Sequence, residues 1–169
     1  ALDGNGTLTL NGNITYLATG NPLGSVISGT PPAVIELGSL ARTFTVNDST
    51  NAGAVIDLTI SAPINGSGTL TKAGLGRLLL SGVNTYTGVM TVSAGTLRID
   101  NAGGLGNTSG GTVVALGATL ELQNAGSMTI NAALSLNGAG VGGGGALGNA
   151  SGDNTGGRRI PLAGASEIQ

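Results

Sequence analysis

The feature that most limits what this chain can become is a recurrence of short apolar pairs with a period of about 20 residues, the range of repeat architectures. One series of pairs begins at Leu58, Leu78, Leu97 and Leu120, and a second runs through Leu70, Met90 and Val113. Within these stretches positions i and i+2 are apolar and the residue between is mostly polar, as in a strand with one buried and one wet face. The same alternation runs through residues 7–10, 43–46, 56–60, 90–92 and 128–130. Two interleaved series of one period predict an all-β solenoid whose coils each carry two or three strands. Consecutive coils would pair in parallel, in register, about 4.8 Å apart, so that about eight coils make a rod on the order of 35–40 Å long.

The 33 glycines among 169 residues fit this reading. They follow no strict three-residue period, which excludes collagen, and many flank the short strands, where a coil must turn. The Asn-Gly pairs at 5–6, 11–12, 65–66 and 137–138, with Asp3-Gly4, predict corners at which Gly and Asn take left-handed conformations. Leu is expected to stack on Leu, and Ile on Val, in a narrow interior. Thr and Ser are expected outside. Aromatic side chains are limited to Tyr16, Phe44 and Tyr86.

The chain offers little chemistry. With no His and no Cys it has no Ser-His-Asp or Cys-His triad and no imidazole or thiolate metal site, and no cofactor is expected. Six basic residues, scattered apart from Arg158-Arg159, and a net charge of −2 give no positive groove for nucleic acid. No run approaches the ~18 apolar residues of a membrane-spanning helix. Glycosidase or lyase work needs paired or clustered carboxylates. Asp57, Asp100 and Glu121 lie on predicted strands, where like charges on adjacent rungs would repel, so the chain reads as a non-enzyme. Gly142 to Gly145 lack the following Lys of a phosphate cradle and the Asp of a calcium-binding repeat, and are expected to form a loop or coil excursion. Lys72 and Arg77 flank a turn and are expected to be solvated. The pairs Thr7/Thr9, Thr43/Thr45, Thr69/Thr71 and Thr85/Thr87 recur at steadily shrinking intervals, too uneven for one ice-binding row. The opening Ala1-Leu2-Asp3-Gly4 is neither an initiator Met nor a signal peptide, so the chain is expected to be cut from a longer one.

One stretch is more specific. Gly68-x-Leu70-x-Lys72-x-Gly74-x-Gly76-x-Leu78-x-Leu80-Ser81-Gly82-x-Asn84-Thr85-Tyr86-x-Gly88, followed by Gly95-x-Leu97, resembles the autotransporter-associated β-strand repeat, also called the passenger-associated transport repeat. Residues 42–46, 101–106, 136–140 and 145–147 resemble flanking coils of the same proteins. The likeness extends over about residues 35–150, with the repeat proper at 66–99. Near 153–160 related coils continue with Trp and a regular strand. Here the aromatic is missing and Arg158 and Arg159 are adjacent, so residues 139–160 are expected to form a less regular coil or loop.

The resemblance implies that residues 1–169 are a single right-handed parallel β-helix segment of a larger passenger from a Gram-negative autotransporter. Such a passenger is exported through an outer-membrane β-barrel translocator of the same protein and is anchored at the cell surface or released. The implied role is a structural stalk that spaces or displays modules, with coil stacking aiding secretion. Its partners are then the neighbouring coils or modules of the parent chain. The alternative is an adhesin or glycan-binding surface on the same rod, with a host matrix protein or glycan as partner. Leu70, Leu78, Leu80, Leu97 and Ile99 are the expected core, and Gly76, Gly82, Gly88 and Gly95 the expected turns. Asn84 is expected to bond turn backbone and Tyr86 to cover a coil junction with its hydroxyl at the surface. Were there a ligand surface, Tyr86, Asn84 and Tyr16 are the residues that would form it.

Overall fold

The structure, a computed structural model, describes residues 2, 6–19, 23–29, 33–49, 51, 54–157, 162–163 and 168. The expected corner at Asp3-Gly4, the Asn of the first Asn-Gly pair and the Arg158-Arg159 pair lie outside the described residues.

The strands in chain order are β1 (Thr7–Thr9), β2 (Ile14–Tyr16), β3 (Ser25–Ile27), β4 (Val34–Glu36), β5 (Arg42–Val46), β6 (Leu58–Ile60), β7 (Ile64–Asn65), β8 (Leu70–Ala73) and β9 (Arg77–Leu80). They continue with β10 (Met90–Val92), β11 (Thr96–Ile99), β12 (Thr112–Val114), β13 (Thr119–Ile130), β14 (Leu134–Asn137), β15 (Leu147–Gly156) and β16 (Leu162–Ala163). They form a six-stranded sheet in the order β15-β13-β11-β9-β6-β3, a seven-stranded sheet β16-β14-β12-β10-β8-β5-β2 and a three-stranded sheet β1-β4-β7. Every strand pairing among the described residues is parallel. Each sheet skips from one coil to the next, the topology of a right-handed parallel β-helix.

The recurrence in the sequence is the rung register. Leu58 pairs with Leu78, Leu78 with Leu97, Leu97 with Leu120 and Leu120 with Leu147. Two residues on, Ile60, Leu80, Ile99 and Leu122 form the second inward column. The alternation explains both columns, because successive side chains leave opposite faces of a strand. Leu70, Leu78, Leu80, Leu97 and Ile99 have no exposed surface. Each such burial contributes about 1.5–3 kcal/mol relative to an exposed side chain.

The second series is one residue out of step with the expectation. Met90 pairs with Thr112, and Val113 pairs with Thr91 on the outer face, where it is 36% exposed. Val114 is the residue that turns inward, between Val92 and Leu136. Because strands have period two, a one-residue offset exchanges the two faces. Thr112 therefore takes the buried place, and its hydroxyl has no partner among the described residues.

The seven-stranded sheet sets seven rungs among the described residues, and at about 4.8 Å per rung this is a rod of roughly 29 Å. That is shorter than the rod of even coils, because coils differ in girth. Ser25 and Leu58 are partners on adjacent rungs, yet the chain between them carries a third strand, β4, as well as β5. Later coils bow outward instead. β13 pairs with β15 through register shifts between Leu122 and Gln123 and again before Ser127. Within residues 139–160, Val141–Gly143 make one 3-10 turn and Leu147–Gly156 form β15.

Candidate functional site

The corners that join the sheets carry most of the polar side-chain bonding. Non-Gly residues with positive φ are absent among the described residues, so Asn shapes these corners through its side chain and Gly alone takes the left-handed conformations. Asn84 shows how. Its Oδ1 accepts from the Ile64 N–H at 2.9 Å in the preceding coil, and its Nδ2 donates to the Gly104 carbonyl at 2.8 Å in the following one. The expected bond to turn backbone is thus a two-sided clip between coils. Asn101 and Asn124 share another pattern. Each accepts from the N–H two residues on (Gly103, Gly126), and each donates to a carbonyl one coil back, Ser81 at 3.0 Å and Asp100 at 3.1 Å.

Gly95 has φ +62°, a conformation open to glycine at little cost. Gly88 is needed for a different reason: a Cβ there would land on the carbonyl of Gly68 one coil below, and a Cβ on Gly110 would land on the carbonyl of Gly88. Three glycines are stacked at one corner, where backbone lies directly on backbone.

Tyr86 and Asn84 lie inside the coil. Tyr86 has no exposed surface, and its hydroxyl is buried without a partner among the described residues, not at the surface as expected. Burial pushes its phenol well above the usual tyrosine range. The ring is held against Gly106, where a Cβ would meet its edge. Asn84 is 4% exposed and Tyr16 6%. Burial, then the negative charge of Asp57, raises the Tyr16 phenol. Side chains so enclosed cannot stack on a ligand, so in this conformation the three do not form an accessible surface.

Lys72 is also inside, contrary to the expected solvated position. In β8 the alternation places Leu70 and Lys72 inward and Thr71 outward, and Lys72 has no exposed surface. Its Nζ donates to the carbonyls of Gly74 at 2.5 Å and Ala94 at 3.0 Å, joining the turns of two coils. Desolvation lowers its pKa from 10.5 to about 8, against the opposing pull of Asp57 and Asp48. Arg77 is ion-paired. Glu121 Oε2 lies 3.3 Å from Arg77 Nε and 2.8 Å from Arg98 Nη2, so one carboxylate ties three rungs. The three acids suspected of stacking are therefore apart in role. Asp57 is buried and accepts from Ser49 N at 2.8 Å and Arg77 N at 2.7 Å, Glu121 serves the two arginines, and Asp100 follows β11 at a corner.

Two notches open on the outside where the chain leaves the six-stranded sheet. One, of about 530 Å³, is lined by Leu79, Asp100, Gln123, Asn124, Ala125 and Ser151. The other, of about 480 Å³, is walled by Val34, Pro63 and Val83, with Ser61, Asn65, Ser81 and Thr85 on its rim. The sequence holds no signal for them, because they arise from the bulges of β13 and from the open corner after β6 and β9. Among the described residues no group of three or more carboxylates could hold a metal ion, and no helix is long and apolar enough to cross a membrane.

The described residues form a parallel β-helix clipped coil to coil by Asn and Lys, and no group of three or more carboxylates among them could hold a metal ion. Residues 70–99 match the family model described as Passenger-associated-transport-repeat. Over 113 residues, 64% of this chain, the sequence is 42% identical to the adhesin BmaC autotransporter of Brucella suis biovar 1 (strain 1330). The match spans 3% of that relative's length. No solved structure matches. The chain is a parallel β-solenoid segment that matches the passenger-associated transport repeat over residues 70–99.

Proposed function

We propose that this segment, as one β-helical unit from residue 1 to 169, is a stalk section of an autotransporter-type protein exported to the cell surface or released. Its partners are the neighbouring coils or modules of its parent, and an outer-membrane β-barrel translocator of that parent carries it out. The observation that supports this reading best is the unbroken register from Leu58 through Leu78, Leu97 and Leu120 to Leu147. Coils that contact only their neighbours can be added one at a time as a chain emerges, and each added rung biases outward movement. The direct test exchanges the segment, within the parent displayed on bacteria, for an unrelated β-helix of equal rung number. Display and adhesion are retained if the segment only spaces modules.

A second reading, an adhesive surface on the same rod toward a host matrix protein or glycan, is favoured by the adhesin named as its relative. Loss of adhesion with display intact in that exchange would favour it over the pure stalk.

A further inference from the structure

The two notches share one corner of the coil. Leu80 and Ile99 are partners on adjacent rungs, and the residues that follow them, Ser81 and Asp100, line the apolar-walled and the polar notch respectively. The polar notch is preorganised and under-used. Gln123 Oε1 is held by Arg98 Nη1 at 2.6 Å, one Asp100 oxygen accepts from Asn101 Nδ2 at 3.1 Å, and Asn124 is fixed at both ends of its amide. The Gln123 amide N–H groups and the second Asp100 oxygen have no partner among the described residues. Leu79 and Ala125 add aliphatic surface to this notch.

We propose that this corner is a binding groove for a neutral oligosaccharide lying along the rod axis; the proposal rests on the adhesive reading and not on the stalk reading. A carboxylate oxygen beside free amide N–H groups accepts from and donates to neighbouring sugar hydroxyls. Aliphatic walls at Val34, Pro63 and Val83 suit the C–H face of a pyranose, and the rung repeat of about 4.8 Å is close to the advance of one sugar along an extended chain. Neutral sugars are selected because Asp100 repels anionic ones while both arginines of this face are bound to Glu121. An extended peptide is disfavoured, since both notches offer side-chain groups and no free strand edge.

The test is calorimetric titration of the full 169-residue chain with neutral hexose mono-, di- and tetrasaccharides, with sialyllactose and an extended peptide as comparators. The expected result is saturable binding that tightens from monosaccharide to tetrasaccharide, falls at least fivefold in Gln123→Ala, and loses the tetrasaccharide advantage in Val83→Asp. Both positions are on the outside, and circular dichroism of each variant checks that the coil is intact. Absence of saturable binding, preference for sialyllactose or the peptide, or equal binding by both folded variants would overturn the proposal. Neither variant alters the stacking on which the stalk reading depends, so the exchange experiment in displayed cells fails or succeeds separately.

Discussion

Phe44 and Lys72 are partners on adjacent rungs of one inward-facing column, and neither has exposed surface. A primary amine thus occupies a place that Val92 fills in the next coil. Folding lowers the Lys72 pKa from 10.5 to about 8, so between these values the unfolded chain holds the proton and the folded one releases it. Stability therefore rises with pH across that window, by about 3 kcal/mol if the whole shift is realised, and the full penalty is present below pH 8. The raised phenol of Tyr86 works the other way above about pH 10, which leaves pH 8 to 9.5 as the clean interval. Denaturant midpoints measured there should climb in the native chain and stay flat in Lys72→Met. A native midpoint that falls with pH would contradict the buried amine.

Substituting Gly88 by Ala drives a methyl group into the Gly68 carbonyl. Backbone cannot yield there without opening the rung, so the expected loss is about 3 kcal/mol. Gly12→Ala is the control, because a Cβ at that site meets nothing within 4 Å and φ is unexceptional. Equal thermal midpoints for the two variants would refute the stacked-glycine corner.

Asn84→Ala removes both halves of a clip and leaves the Ile64 N–H and the Gly104 carbonyl buried without partners. The cost should be about 2–4 kcal/mol. Asn84→Asp keeps the acceptor for Ile64 but sets an oxygen against the Gly104 carbonyl, so it too should lose stability. Amide exchange at Ile64 should quicken in Asn84→Ala and change less in Asn84→Asp; equal exchange in both would count against the clip.

Glu121 lies between Arg77 and Arg98 with its side chain only partly exposed. Glu121→Gln should cost about 1 kcal/mol in dilute buffer and less in high salt, because the pairs retain some contact with water. Denaturation at two ionic strengths measures this, and a salt-independent effect would show that packing, not charge, holds the rungs.

The register is readable wherever the interior repeats a long apolar side chain, as at Leu58, Leu78, Leu97 and Leu120. It slips at Val113, because two adjacent valines satisfy a period-two pattern in either phase and only the length of the Gly110-Gly111 corner fixes the phase. Val114→Asp should accordingly unfold the coil while Val113→Asp is tolerated, as chemical denaturation of the two would reveal. Lys72 misleads because its charge suggests water while its parity places it inside, a parity that Leu70 two residues earlier already marks. Tyr86 misleads through its polar tip, since nothing in the sequence shows that Gly106 clears a space for the ring. Of the three-stranded sheet only β1 falls in an alternating stretch, at residues 7–10, because a two-residue strand such as Ile64–Asn65 carries no periodicity. The outer notches have no sequence signature at all.

The column formed by Gly68, Gly88 and Gly110 has a consequence for how such rods can vary. With backbone in contact along this edge, the coils cannot be spaced more closely there. Extra residues enter on the opposite flanks, as they do where β13 bows outward, and leave that spacing unchanged. A rod with one incompressible seam can gain or lose decoration from coil to coil and still deliver whatever stands at its tip to the same distance.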